Sequence, residues 1–582
     1  MDSPVQSVHN GRATFLVSSL VLALTLAGCG GGGSSGGGSS SSSSGSATGT
    51  TAAAATTYTQ ADATRLADQA TFGPTPALVQ QIMAQGPAWI DAQIATPPTG
   101  YPTLAPLDPT TNACPSPALP GQDPQCYRDL YTAFPIQRAF FQNALTGKDQ
   151  LRQRVALAYQ QIFVVSTVTI GPAYAMGAYQ QMLLNDAFSN FRQILNDVTL
   201  SPVMGTYLNM ANNNKANSSG TVSPNENYAR EVMQLFSIGP NMLNADGSTV
   251  LDSTGQPVPA YSQDTIEGFA STFTGWTYGT APGQQPPQYG NNYSQYFAGQ
   301  MVPYDINHDQ NPKTLLLGTT LPAGQTAVQD LKGGLDNIFN HPNVGPFIGK
   351  QMIQFLVTSN PSPAYVSRIT AVFNNNGKGV RGDMGAVVKA ILTDPEARGA
   401  SVSNPNYGRL KEPALYIGST LRALNATSDG EYAINESSNL GMNLFGSETV
   451  FGFYHPADLL PGSSTLVGPQ FDLTGASTNV AQLDYLNQLI YSQNGVTPDT
   501  TLPGATGTQI DLYSYGALAA NPASMVALFN TNLMHGSMPA AEVNAIVNAV
   551  NTIDETGPDW QITRAQAAAF LILASPRYQI VR

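Results

Sequence analysis

The sequence predicts a mainly α-helical protein: one large helical domain with long irregular loops and room in them for a few short strands. Three observations carry that expectation. Apolar residues recur at helical spacing, as in the i, i+4, i+7, i+11 stripe of Leu151, Val155, Ala158 and Ile162. Capping residues, Pro and Gly punctuate the ends of such stretches. No second linker interrupts the run from Tyr58 to Arg582, so its apolar stripes are expected to share one extended core.

Taken in order, Thr75 caps a helix with Pro76 at its first position; Leu78, Val79, Ile82 and Met83 share one face and Gly86 ends it. The stripe over 151–162 follows, then helices over 182–198 and 227–238, the latter stopped by Gly239-Pro240. Ser262 caps a helix carrying Ile266, Phe269, Ala270 and Phe273. Further helices are expected over 344–356, 364–373, 384–392, 410–424, 524–529, 540–553 and 564–574. The stretches 97–127, 277–325 and 425–520 read as irregular. Two helices, ending at Asp394-Pro395 and Ser575-Pro576, share their C-terminal punctuation, which needs no duplication to explain it.

Ahead of the helical domain the chain reads as an export and anchoring device. The apolar run from Phe15 to Ala27 is too short to span a bilayer and fits a signal-peptide core. Leu26-Ala27-Gly28-Cys29 matches a bacterial lipobox, in which small residues admit the peptidase and the Cys29 thiol takes a lipid. Residues 1–28 are therefore expected to be a lipoprotein signal peptide, 29–57 a lipidated cysteine with a Gly/Ser-rich tether, and 58–582 the helical domain. Such a tether reaches about 30 Å by random-coil scaling. Gly30 is not the Asp associated with inner-membrane retention, so the expected place is the cell envelope, on the outer membrane, facing the periplasm or the cell surface.

The formal charge is −13, and loss of Arg12 and Asp2 with the signal leaves it unchanged. With no Lys/Arg cluster, nucleic acid is excluded as a partner. Cys114 and Cys126 form an even pair among Pro115, Pro120 and Pro124. In an oxidising compartment they read as a disulfide, since a redox or metal thiol pair would call for CxxC spacing.

GxSxG, HExxH, P-loop, GxGxxG and CxxCH signatures are missing from the domain. Local polar clusters remain. In Asn225-Glu226-Asn227-Tyr228-Ala229-Arg230-Glu231, helical spacing sets Asn227 and Glu231 beside Val232 and Leu235, and Glu226 pairs with Arg230 at i, i+4. A carboxylate beside an apolar stripe needs a partner, a metal or a raised pKa; an arginine and backbone groups would serve as well as a ligand. In the loop 304–313, Asp305, Asn307, Asp309 and Asn311 alternate like calcium ligands. An EF-hand would need Gly at Gln310 and an acid at Leu316, which leaves a looser divalent-cation loop or a plain hydrogen-bonded turn. His308 beside Asp309 is a candidate acid–base pair. His341-Pro342 and His455-Pro456 read as caps or turn starts.

In this order the pieces resemble the bacterial family catalogued as domain of unknown function 1800. The resemblance runs through Arg65-Leu66 with Thr71-Phe72-Gly73-Pro74-Thr75, Trp89-Ile90-Asp91, Leu151-Arg152-Gln153-Arg154-Val155 with Phe163-Val164-Val165-Ser166, and the specific string Asn225 to Glu231. It continues through Phe273-Thr274-Gly275-Trp276, His308-Asp309 with Lys313-Thr314, Ala390-Ile391-Leu392 with Pro395-Glu396, and Leu573 to Gln579. It implies a helical fold, an exported location and, from the sulfatase-like exported family whose genes often stand beside it, a partner of that kind. It supplies no activity. This chain departs from many relatives where they carry histidines: the corresponding stretches read Tyr159-Gln160-Gln161-Ile162-Phe163 and Gln234-Leu235-Phe236.

Two functions compete. One is a binding or assembly lipoprotein that engages a polysaccharide, a peptide or a partner protein, with Tyr289, Tyr293 and Tyr296 as exposed aromatics. The other is a metal-assisted hydrolase or other enzyme using Glu226, Glu231, His308 and Asp309, with a divalent cation such as calcium. The second requires the helix bearing Asn225 to Glu231 and the loop bearing His308 and Asp309 to meet in one polar cleft.

Overall fold

The computed structural model describes residues 57–582 except 109–111, 115–124, 285–288, 291–294, 400–403, 405, 493–494 and 503. The Gln150–Ile162 helix lies at its centre. Every residue of that helix except Gln161 is buried, so the Leu151, Val155, Ala158, Ile162 stripe is one side of a helix enclosed on all sides. Its polar side chains are accommodated by bonding to neighbouring carbonyls. The Arg152 guanidinium donates to the carbonyls of Ile94, Thr96, Leu184 and Asn185, Gln150 to those of Asn143 and Gly147, and Gln153 to that of Thr99. Each such bond replaces one made to water, which is what permits polar residues in a core.

Around this hub stand the other helices of the 23 among the described residues. Thr75 caps the Pro76–Gln85 helix by accepting from Leu78 N, with Pro76 in the first turn. The Val344–Leu356 helix packs on Pro363–Asn374 and on Met384–Thr393. Gly349 permits the close approach: a Cβ there would lie 3.1 Å from Ile369 Cγ2. The expected 182–198 helix is instead two, Ala173–Asn185 and Phe191–Leu200. Asn190 starts the second by accepting from Arg192 N. The expected 410–424 helix begins later, at Pro413, because Arg409–Leu410 is a strand. Within the stretch 425–520 read as irregular lie three further helices, Glu431–Asn439, Ala476–Tyr491 and the short Tyr513–Gly516.

Strands are few and two residues long. Trp276–Thr277 pairs with Val302–Pro303, Lys313–Thr314 with Thr320–Leu321, Arg409–Leu410 with Ile580–Val581, and Thr427–Ser428 with Thr508–Gln509, all antiparallel. The third pair brings the C-terminus back to the hub, where buried Glu412 lies between Arg409 and Arg154. Cys114 and Cys126 are disulfide-bonded. Residues 55–582 form one compact unit. Among the described residues no helix is long and apolar enough to cross a membrane. The expected signal peptide, Cys29 and all but the last residue of the tether lie outside the described residues.

Candidate functional site

The loop holding His308 is built into the core. Thr274 ends the turn after the Gln263–Thr272 helix, and its hydroxyl accepts from Asp309 N. Gly275, at φ +78°, lets this turn lie against His308: a Cβ there would stand 2.8 Å from His308 Cβ and 2.9 Å from its backbone N. His308 is fully buried, with Nδ1 2.9 Å from the Thr274 carbonyl oxygen and Nε2 3.0 Å from Asp330 Oδ2. The Lys313 ammonium lies 2.6 Å from that same carboxylate oxygen and donates to the carbonyls of Asp309 and Asn311.

Of the two expectations for this loop, the geometry is that of a hydrogen-bonded turn. The loop does gather oxygen atoms around a cation, but the cation is Lys313. The candidate ligands face separate partners: Asp305 Oδ1 accepts from Ala327 N, Asn307 donates to Asn214 Oδ1, and Asp309 Oδ1 accepts from Asn311 N. Among the described residues no group of three or more His, Cys, Asp or Glu side chains could hold a metal ion. His308 has no surface for a substrate, so the acid–base pair with Asp309 is replaced by a buried His308–Asp330–Lys313 lock.

The Asn225–Glu231 string is also largely consumed by its surroundings. Asn225 N donates to Asn213 Oδ1, Asn213 returns a bond to the Asn225 carbonyl, and Asn225 Oδ1 accepts from Asn227 N. Asn227 donates to Asn209, and Arg230 pairs with Glu226 at 2.8 Å. Tyr228, Ala229, Val232 and Met233 make the buried side of the Asn227–Gln234 helix, leaving Asn227 exposed. Glu231 is half-buried, and its Oε2 has no hydrogen-bond partner. Burial pushes its carboxyl pKa up, with Arg230 opposing.

Both segments fasten to one asparagine-rich loop, 209–217, through Asn213 on one side and Asn214 on the other. They are neighbours without being one site, since Glu231 and His308 share no hydrogen-bond or ion-pair partner. Of the tyrosines expected to be exposed, Tyr289 and Tyr296 are half-buried, Tyr289 donating to the Asn213 carbonyl and stacking on Tyr304; Tyr293 lies outside the described residues.

A cleft of about 300 Å³ does open elsewhere. It lies where the ends of the Gln150–Ile162 and Asn227–Gln234 helices, the Val344–Leu356 helix, the ribbon 241–249 and the loop 450–457 come together. Five amide side chains line it: Gln161, Gln234, Asn241, Gln351 and Gln354. Phe347 and Phe451 supply aromatic surface, Lys350 and His455 are its titratable groups, and no carboxylate lines it. Gln354 donates to the carbonyls of Ser359 and Pro456 and so anchors the loop. Gly239, at φ +74°, turns the chain tightly against Phe347, whose Cε2 would lie 2.8 Å from a Cβ at that position. His455 Nδ1 accepts from Ala457 N, and its ring meets Phe451 edge-on. Gln351 Nε2 is buried with no hydrogen-bond partner among the described residues, while the Gln161 side chain bonds the Tyr454 hydroxyl.

Sequence reading did not single out this cleft, yet one signal pointed to it. The two stretches noted in the sequence, Tyr159–Phe163 and Gln234–Phe236, lie far apart in the chain, and each lends a glutamine, Gln161 and Gln234, to this cleft.

No curated protein and no solved structure matches the chain. The family described as Protein of unknown function (DUF1800) matches residues 65–580, nearly the whole chain, and the protein belongs to that family.

Proposed function

We propose that the chain is an exported, lipid-anchored binding protein of the cell envelope, and that the amide-lined cleft is its ligand seat, with a carbohydrate as occupant. The observation that carries this reading is the lining itself: five amides and two aromatic rings, with no carboxylate. An amide both donates and accepts, as sugar hydroxyls do, so a hydroxyl-rich ligand can satisfy each group reciprocally. The unpartnered Nε2 group of Gln351 favours a ligand with acceptors, since an unsatisfied buried donor costs about 1–3 kcal/mol. Aromatic faces offer apolar surface to the C–H side of a pyranose ring.

The hydrolase reading has less support. Glycoside hydrolysis requires a pair of carboxyl groups across the scissile bond, and none lines the cleft. His308 and Asp309, nominated for acid–base work, are enclosed by Thr274, Asp330 and Lys313.

Titration calorimetry on the full chain, extracted in detergent, tests the seat. Neutral and acidic hexasaccharides should include at least one binder, weakened several-fold by Gln161→Ala and Gln351→Ala without loss of melting temperature. Absence of binding across the set would refute the reading. The anchor is tested by Cys29→Ser, which should move the protein out of the membrane fraction.

A further inference from the structure

From the same cleft we infer a ligand class: the bound sugar carries an acidic substituent, a carboxylate or a sulfate ester, that pairs with Lys350. The inference rests on the carbohydrate reading above and adds the ligand's charge.

The chain has 37 acidic residues against 24 lysines and arginines, and among the described residues this cleft is lined by a lysine and no carboxylate. Of the seven other lysines, four meet acids within the protein: Lys313 holds Asp330, Lys332 holds Asp336, Lys389 holds Asp91 and Lys411 holds Asp68. Lys350 makes no ion pair or hydrogen bond with the described residues.

Its position is nevertheless defined. The turn at Gly247, φ +77°, lies over it: a Cβ there would stand 3.0 Å from Val366 Cγ1 and 3.6 Å from Lys350 Cδ. The turn thus stands beside the aliphatic stem of a side chain that is itself exposed. Packing around the ammonium lowers its pKa, the direction expected of a cation that has lost water and gained no anion. An acidic group on the ligand would supply that anion, and the surrounding amides would bind the hydroxyls beside it. A charge-assisted bond in a partly apolar cleft discriminates against a neutral analogue by about 10–100-fold.

The test is titration calorimetry on the detergent-extracted full chain with three hexasaccharides: an oligogalacturonate, a sulfated galactan fragment and a neutral galactan fragment. At least one acidic probe should bind about tenfold or more tighter than the neutral one, and which of them does so distinguishes carboxylate from sulfate. Lys350→Gln should erase that preference, while Lys350→Arg should keep most of it. Equal binding of all three by the wild type would overturn the acidic-ligand inference and leave the carbohydrate reading standing. A preference that survives Lys350→Gln would likewise overturn it. Binding of none of the probes would remove both. The wild-type comparison needs no variant, so the inference stays testable if a substitution impairs folding.

Discussion

Asp330→Asn should destabilise the protein by about 3–5 kcal/mol, the usual cost of stranding one member of a buried ion pair. The Lys313 side chain is 2% exposed and that of Asp330 is fully buried, so water cannot replace the lost charge without opening the loop. Asp330 Oδ2 is shared by the Lys313 ammonium and His308 Nε2, so the substitution loosens two anchors of the 304–313 loop at once. Urea unfolding followed by circular dichroism measures the effect as a midpoint shift at unchanged slope. Adding Lys313→Met to Asp330→Asn should recover at least about 1 kcal/mol, because the pair couples directly. Calcium or EDTA should leave the wild-type midpoint in place, since Lys313 takes the carbonyls a calcium ion would need. A loss below about 1 kcal/mol in Asp330→Asn, or stabilisation of the wild type by calcium, would refute the reasoning.

Three further outcomes follow from the same geometry. Gly275→Ala should cost about 1–3 kcal/mol in urea unfolding, because φ is +78° and the new Cβ would meet His308 within 3 Å. Glu231→Gln should be neutral or stabilising at pH 7: the folded state holds the Glu231 proton more tightly than the unfolded chain, so the charged form costs stability above the ordinary value of 4.5. That advantage should vanish below pH 4.5, and a clear loss at pH 7 would show a charge-assisted role for Glu231. Burial holds His341 and His535 at about 4, below their ordinary 6.5, so the unfolded chain binds more protons between those values. Their contribution to stability should therefore fall as pH drops from 6.5 towards 4 and level off below; His341→Gln should flatten the urea-midpoint slope in that window.

How much of this was legible in the sequence depended on whether the deciding partner was local. Thr75 and Pro76 announce their helix because cap and first turn lie within four residues. The Gln150–Ile162 helix shows only one of its buried sides, because the carbonyls that accommodate Arg152, at residues 94, 96, 184 and 185, are remote in sequence. The Glu431–Asn439 helix was missed because it buries Tyr432, Ala433, Ile434, Glu436 and Ser437, a nearly continuous and partly polar run with no helical stripe to detect. His308 drew attention by residue type, but its chemistry is decided by Asp330, which stands 22 residues on in another helix.

The cleft illustrates the same limit from the other side. Glutamine is weak evidence when read alone, because an exposed amide bonds water at little cost; the residue becomes informative only when burial removes the water and no protein group replaces it. That condition holds at Gln351, and it is a property of three-dimensional placement that no local pattern encodes. Sequence could mark the Gln161 and Gln234 stretches, but it could not say that they line one hollow. The structure joins them there, adds Lys350 without an acid, and so makes both stretches walls of a candidate binding site.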